Sequence, residues 1–457
     1  MNKQKLLIRL CKNVKLLSNI FCNIFIYLFI YLFYFIFIFS DGTVSYDLFK
    51  EYYFLPDRNT RNPEKDILKI PNIPLFSAGS SMKDAGYFTL MGFKASINAM
   101  IGNEGTSLFI EKSVKDIIWG YDDKLTAMGR SFMPAGALKS DQFGLLVGKN
   151  YSVDGRMRVH TGASDLSMVG QIKSFNEQET YNVWPDKTCD QMRGADGSFM
   201  EPMLDMNSRL EITVIDLCRT IKLVPNKYVQ VGPMKTLQFL PDENLFNYDA
   251  EENKCYCPET VKQAEMDYEE EESEFEEDNS FDSWFDEEEE SETPDYLDNS
   301  KKDKCTGNGV FHIGPCKFGA PLAVSWPHFL NAEPKIETVE GLNPDPKKHQ
   351  MYMNVQPEMG IGFSAFIRMQ FNLKMEKSQA FPILNTLPIG DEFLVPIMWF
   401  EDVIDKPPEN LATLLKDAVD TGPNLGQTSV IISSMNLIVQ FFVFVSYMLW
   451  SFHKDTE

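Results

Sequence analysis

From Val430 to Phe452 the chain reads VIISSMNLIVQFFVFVSYMLWSF, without one charged side chain. Such a run crosses a hydrocarbon core of about 30 Å as a helix, because a helix satisfies every backbone N–H and C=O internally. Ser433, Ser434, Asn436 and Gln440 are tolerable inside it, since each can hydrogen-bond to its own or a neighbouring helix. Residues 430–452 are therefore expected to span a membrane, leaving 453–457 as a short cytosolic tail. A second apolar run, 20–39, follows Lys3, Lys5, Arg9, Lys12 and Lys15. Cations ahead of a span hold the N-terminus in the cytosol, and the run is longer than the apolar part of a signal peptide. Residues 1–19 are then cytosolic, 20–39 a first span, and 41–428 the extracellular or lumenal part. Residues 1–40 are also dominated by amino acids with A- and T-rich codons, so translated non-coding sequence is a second reading of that segment. Transcript sequencing across the Ser40–Asp41 junction separates the two.

The net charge of -23 excludes a general nucleic-acid binder, which needs a basic face. The charge is local: 19 acidic residues and no Lys or Arg lie between Glu265 and Asp298, which leaves -23 + 19 = -4 for the rest. The segment 258–304 is expected to stay extended through self-repulsion, as a disordered insert. Its aromatics, among them Tyr268, Trp284 and Phe285, admit a second role as anchors for a basic protein partner. The whole chain, 44% hydrophobic with 35 Phe, has enough apolar mass for a large core.

Six of the eight cysteines, Cys189, Cys218, Cys255, Cys257, Cys305 and Cys316, fall between the two spans. An even number in one compartment on the non-cytosolic side points to disulfides. Zinc is disfavoured, because no pair has knuckle spacing and no histidine stands at ligand spacing. Spacing alone does not give the pairing.

Within 41–428 the texture is mainly β with helical insertions. Helix-like apolar spacing covers Met82–Gly102 and Val114–Tyr121, and a short helix is expected over Asn410–Val419. Strand-like runs separated by turn residues follow: RMRVHTG, LEITVIDLC, YVQVGPMKTLQFL, PLAVSWPHF and FLVPIMWF. From Phe363 to Met375 apolar and polar residues alternate almost without exception, which predicts a strand with one face on a core and the other on water. No nucleophile elbow, zincin, P-loop or dinucleotide fingerprint is present. His160, His312, His328, His349 and His453 stand outside any nucleophile or metal pattern and read as structural. A non-enzymatic chain without cofactors is expected.

The strings IIWGY, KTCDQMRGADGSF, DLCRTI, CYCPE, GPCKFGAPLAVSWPHFLNAEP, GLNPDPKKHQ and VPIMWF resemble, in order and spacing, the class B scavenger receptors. That family includes fatty acid translocase, the high-density lipoprotein receptor, a lysosomal integral membrane protein, and the insect croquemort and sensory neuron membrane proteins. The resemblance implies an irregular antiparallel β-barrel with an apical helical bundle and an apolar tunnel. It implies bridges joining Cys189 with Cys255, Cys218 with Cys316, and Cys257 with Cys305. Lys317 matches a lysine that in fatty acid translocase is associated with a fatty acid carboxylate, an ion pair its ammonium can form.

The chain also departs from the family. Strands that in relatives precede the first matching segment have no counterpart upstream of Asp41, so an open or altered barrel is expected if the chain is complete. The apex stretch IGNEGTSLF carries Asn103, Glu104 and Gly105 where fatty acid translocase has lysines, which weakens capture of anionic lipoprotein there. One glycosylation pattern remains, Asn150-Tyr151-Ser152. The implied function is a plasma-membrane, or endosomal or lysosomal, receptor that takes up a lipid such as fatty acid, sterol, carotenoid or lipoprotein lipid. The rival is an adhesion or sorting receptor for protein or cell-debris partners.

Overall fold

A computed structural model describes residues 41–55, 61–82, 107–130, 138, 140–257, 308–333, 339–378, 381–387 and 393–405, with parts of 91–95 and 409–419. The architecture is mainly β. Its centre is an eight-stranded antiparallel sheet built from β8 (Leu210–Val214), β9 (Arg219–Val231), β10 (Met234–Pro241), β11 (Val310–His312), β12 (Leu322–Ser325), β13 (Tyr352–Gln356), β14 (Ile361–Met375) and β15 (Phe393–Ile404). The order β11-β12-β14-β13-β10-β9-β8 puts β11 and β8 at opposite ends, and β15 branches from β14. The two ends do not pair, so the described strands form an open sheet rather than a closed barrel.

β14 is the strand around which the sheet divides. β12 and β15 both pair with 370–373, so they occupy opposite edges of it. β13 and β15 both pair with 365–366, which puts β13 and β12 on the same edge, one after the other. The alternation over Phe363–Met375 is real on the apolar side. Phe363, Ala365, Met369, Leu373 and Met375 are buried, and Ala365 and Met369 join the main core around Phe239, Phe311, Val324 and Trp326. The Phe, Met and Leu side chains among them each contribute about 1.5–3 kcal/mol when fully removed from water.

The opposite face differs from the water-facing expectation. Ser364, Arg368, Gln370 and Asn372 are also buried, Asn372 at 0% exposure. They are covered by their own partners. Asn372 Nδ2 donates to Ser325 Oγ at 3.0 Å, and Gln370 Nε2 donates to Asn372 Oδ1 at 2.9 Å. Asn354 Nδ2 donates to Ser364 Oγ at 2.8 Å, while Arg368 pairs with Glu401 and donates to Gln350 O. A central strand with neighbours on both edges buries polar residues when those neighbours supply the hydrogen bonds.

Three smaller sheets flank this core. β1 (Thr43–Lys50), β6 (Ser152–His160) and β7 (Ile172–Phe175) form one, β2 (Ile67–Pro71) and β3 (Phe109–Ser113) another, and β4 (Tyr121–Asp122) and β5 (Gln142–Phe143) the third. Short helices join them: α1 (Ile73–Ser81), α2 (Val114–Trp119) and α3 (Lys124–Gly129), followed by α4 (Lys187–Asp190) and α5 (Pro346–His349). Asn72 caps α1 by accepting from Leu75 N, and Pro74 sits in its first turn, where a missing N–H costs nothing. α1 is an additional helix upstream of the one expected over Met82–Gly102; of that segment Met82, 91, 92, 94 and 95 are described, the last four helical, and the rest lies outside the described residues. Of the helix expected over Val114–Tyr121, Val114–Trp119 is helical, capped by Ser113, while Tyr121 begins β4. β9 and β10 join through Gly232-Pro233, with Val231 opposite Met234 and Gly232 at φ 55, the left-handed position that so tight a hairpin requires.

The runs 20–39 and 430–452, the insert 258–304 and the apical residues Asn103, Glu104 and Gly105 lie outside the described residues. Among the described residues no helix is long and apolar enough to cross a membrane.

Candidate functional site

Beyond β8 the chain makes a 3-10 turn, Ile215–Leu217, and Cys218 takes a left-handed conformation before β9. A second tight turn, Pro315–Lys317, ends with Phe318 left-handed. The disulfide Cys218–Cys316, with Cα atoms 5.8 Å apart, ties these two turns together. It sets Lys317 beside Asp216, Nζ to Oδ1 3.7 Å. The same Oδ1 is 3.3 Å from Lys149 Nζ, and Lys50 pairs with Asp154 at 2.5 Å nearby. Three ammonium groups thus face two carboxylates.

Burial pushes the Lys317 ammonium below the ordinary lysine range, with Asp216 opposing the shift and Lys149 reinforcing it. For Asp216, burial favours the neutral acid, but Lys149 and Lys317 outweigh it and hold the carboxyl below its usual range. Asp216 keeps 57% of its side chain exposed and Lys317 35%, so these pairs contribute little to stability. Half-exposed ammonium groups sharing one oxygen can instead exchange it for an incoming carboxylate.

Lys149 leads into the glycosylation pattern. Asn150 Oδ1 accepts from Tyr52 N at 2.8 Å and Tyr151 N at 3.1 Å. Among the described residues its Nδ2, the atom to which a glycan is joined, makes no hydrogen bond. Phe49, Tyr53, Tyr151 and Val153 beside it are exposed, with Phe49 paired across the strands to Val153. Phe49 and Val153 alternate with Lys50 and Asp154 along β1 and β6, so the apolar pair lies on the opposite face from that ion pair.

The second bridge, Cys189–Cys255, has Cα atoms 6.1 Å apart and joins α4 to a 3-10 turn, Glu251–Tyr256. Between them opens a cavity of about 580 Å³. At its wall lies Arg219, 2% exposed, with Nη2 donating to Leu245 O and to Asn253 Oδ1 (2.7 Å). Its guanidinium carbon is 4.1 Å from the Tyr256 ring centroid and 4.5 Å from that of Phe311. Burial lowers the Arg219 pKa, with Tyr256, Tyr248 and Glu252 opposing. Lys222 pairs with Glu252 and Lys254 with Glu251 along the same wall. A neighbouring cavity of about 400 Å³ shares Glu211, Lys222 and Asp242. Charged side chains stand among apolar ones in both linings, so neither is the wholly apolar tunnel that the resemblance implies.

Cys257 is disulfide-bonded, and Cys305 lies outside the described residues. Among the described residues no cluster of His, Cys, Asp and Glu is arranged to hold a metal. The family resemblance points to Lys317 but to neither Asp216 nor Lys149, which come from distant segments with nothing local to connect them. Sequence reasoning also missed the buried polar set on β14, although the polar residues of that alternation were the visible signal.

Residues 34–449 match the family model for the CD36 family. Scavenger receptor class B member 1 of Bos taurus is 26% identical over 368 residues, covering 79% of this chain and 61% of that protein. The Mus musculus counterpart is 26% identical over 362 residues, covering 79% and 60%. Lysosome membrane protein 2 of Homo sapiens is 24% identical over 383 residues, covering 83% and 68%. The chain thus spans 60 to 61% of the length of the scavenger receptors from Bos taurus and Mus musculus. A family match running through the β-core, both bridged turns and Lys317 makes this chain a member of the CD36 family, the class B scavenger receptors.

Proposed function

We propose that the chain is a non-enzymatic membrane receptor that binds and takes up lipid, with the carboxylate of a fatty acid received by Lys317 and Lys149. The observation that carries this reading is the shared Asp216 oxygen: two ammonium groups lie on one exposed carboxylate that a ligand can replace. The exposed Phe49, Tyr53, Tyr151 and Val153 supply apolar surface on and next to the β1–β6 pair that also carries Lys50. Passage of the ligand through an apolar tunnel, closure of the barrel, a Cys257–Cys305 bridge, anchoring by 20–39 and 430–452, and a glycan on Asn150 belong to the same proposal. The compartment proposed is the plasma membrane, with an endosomal or lysosomal membrane as the second choice.

A second reading, a sorting or adhesion receptor for protein partners, draws on the similarity to Lysosome membrane protein 2. Mass spectrometry of lipid extracted from the purified full-length chain separates the two. Stoichiometric co-purified fatty acid, sterol or carotenoid is expected for the lipid receptor. A lipid-free protein that still captures protein ligands would replace it with the second reading.

A further inference from the structure

His328 and His349 lie face to face, ring centroids 4.3 Å apart and planes 8° from parallel. Each is held by a backbone donor. His328 Nδ1 accepts from Asn343 N at 3.0 Å, and His349 Nδ1 accepts from Asp345 N at 2.9 Å. A ring nitrogen that accepts an N–H carries no proton, so the hydrogen bonds fix both rings as neutral, with the hydrogen on Nε2. Asn343 and Asp345 belong to the segment that leads into α5. The two imidazoles therefore fasten that segment to the turn after β12, Pro327–Phe329, whose His328 N is itself bound to Gln370 Oε1 of β14 at 2.9 Å.

The surroundings oppose a positive charge here. His349 is 5% exposed and packs edge-on against Trp399 of β15, centroids 5.7 Å apart. Lys348 and Lys347 flank it on α5, Arg368 approaches from β14, and the carboxylates are Asp345, which caps α5, and Glu401 on β15, the latter engaged by Arg368. Burial and His328 hold His349 below the usual histidine range, Asp345 pulling the other way and Lys348 and Arg368 adding to the depression.

We propose that the His328–His349 stack is an acid-opened latch on the segment 339–349. Protonating either ring at Nδ1 sets an N–H against the backbone N–H that it had accepted. Protonating both stacks two cations. The sign follows from linkage: a histidine depressed in the fold stabilises the closed form fully above the unfolded value of 6.5. That stability is lost as pH falls from there through the lowered folded value. Delivery to an acidic compartment would open the latch and alter the surface presented by 339–349, a property independent of the lipid reading.

The test is amide hydrogen exchange of the full-length chain at about pH 7.4 and about pH 5, corrected for intrinsic rates and read on peptides containing Asn343 and Asp345. Exchange there should rise about tenfold or more at the lower pH, while β9 and β14 stay protected. In His328→Asn/His349→Asn, where Oδ1 can replace the Nδ1 acceptor without titrating, the rise should disappear. An unchanged corrected rate in the wild-type chain would overturn the latch, and so would a rise that persists in the double variant. Should that variant not fold, NMR of the imidazole nitrogens in the wild-type chain decides. Nε2–H tautomers for both rings near neutral pH are expected, and a protonated Nδ1 on either refutes the proposal.

Discussion

The guanidinium carbon of Arg219 lies 4.1 Å from the centroid of the Tyr256 ring, and among the described residues no carboxylate pairs with it. The charge is held by aromatic faces and two neutral acceptors instead. A planar guanidinium suits that environment and an ammonium does not. Arg219→Lys should cost about 2–4 kcal/mol in thermal unfolding, and Arg219→Met less than that, since it removes the buried charge along with its partners. Equal stability of the Lys variant and the wild type would show that stacking contributes nothing.

The bridge Cys218–Cys316 closes a sequence separation of 98 residues. Replacing both cysteines with Ser should lower stability by about 4–5 kcal/mol on the chain-entropy model. Because Asp216 and Lys317 hang from the two bridged turns, ligand binding should fall in the same variant even at temperatures where it remains folded. Non-reducing peptide mapping should recover Cys189 with Cys255 and Cys218 with Cys316. A peptide joining Cys189 to Cys218 would contradict the arrangement.

Asn372, Gln370 and Ser325 form a hydrogen-bonded set with at most 1% exposure. Asn372→Ala removes one member and leaves buried partners unpaired, so it should destabilise by about 2–4 kcal/mol. Denaturant unfolding of the variant measures this. A loss no larger than that of an exposed Asn→Ala, such as at Asn207, would mean that water replaces the missing amide.

Much of this fold is legible in the sequence. The period-two run from Phe363 to Met375 marks β14 and its apolar face, whereas YVQVGPMKTLQFL, which reads as one strand-like run, is split at Gly232-Pro233 into the β9–β10 hairpin. Alternation says which residues share a face but not what covers it. Ser364, Gln370 and Asn372 therefore read as solvated until Ser325, Asn354 and the backbone of the His328 turn are seen to meet them. The start of α1 has a local signal in Asn72 and Pro74, a cap residue followed by a first-turn proline. At the candidate site Lys317 stands out only through family resemblance. Its partners Lys149 and Asp216 are ordinary surface residues in sequence and acquire meaning only when the Cys218–Cys316 bridge brings their turns together.

The lysine site is tested most directly by titrating the full-length chain with a long-chain fatty acid and with its methyl ester, in the wild type, Lys317→Ala and Asp216→Asn. Lys317→Ala should weaken the acid roughly tenfold and leave the ester unchanged. Asp216→Asn should tighten the acid, by about tenfold or less, because the competing internal carboxylate is gone. Equal weakening of acid and ester by Lys317→Ala, or no gain from Asp216→Asn, would contradict recognition of a carboxylate at this pair.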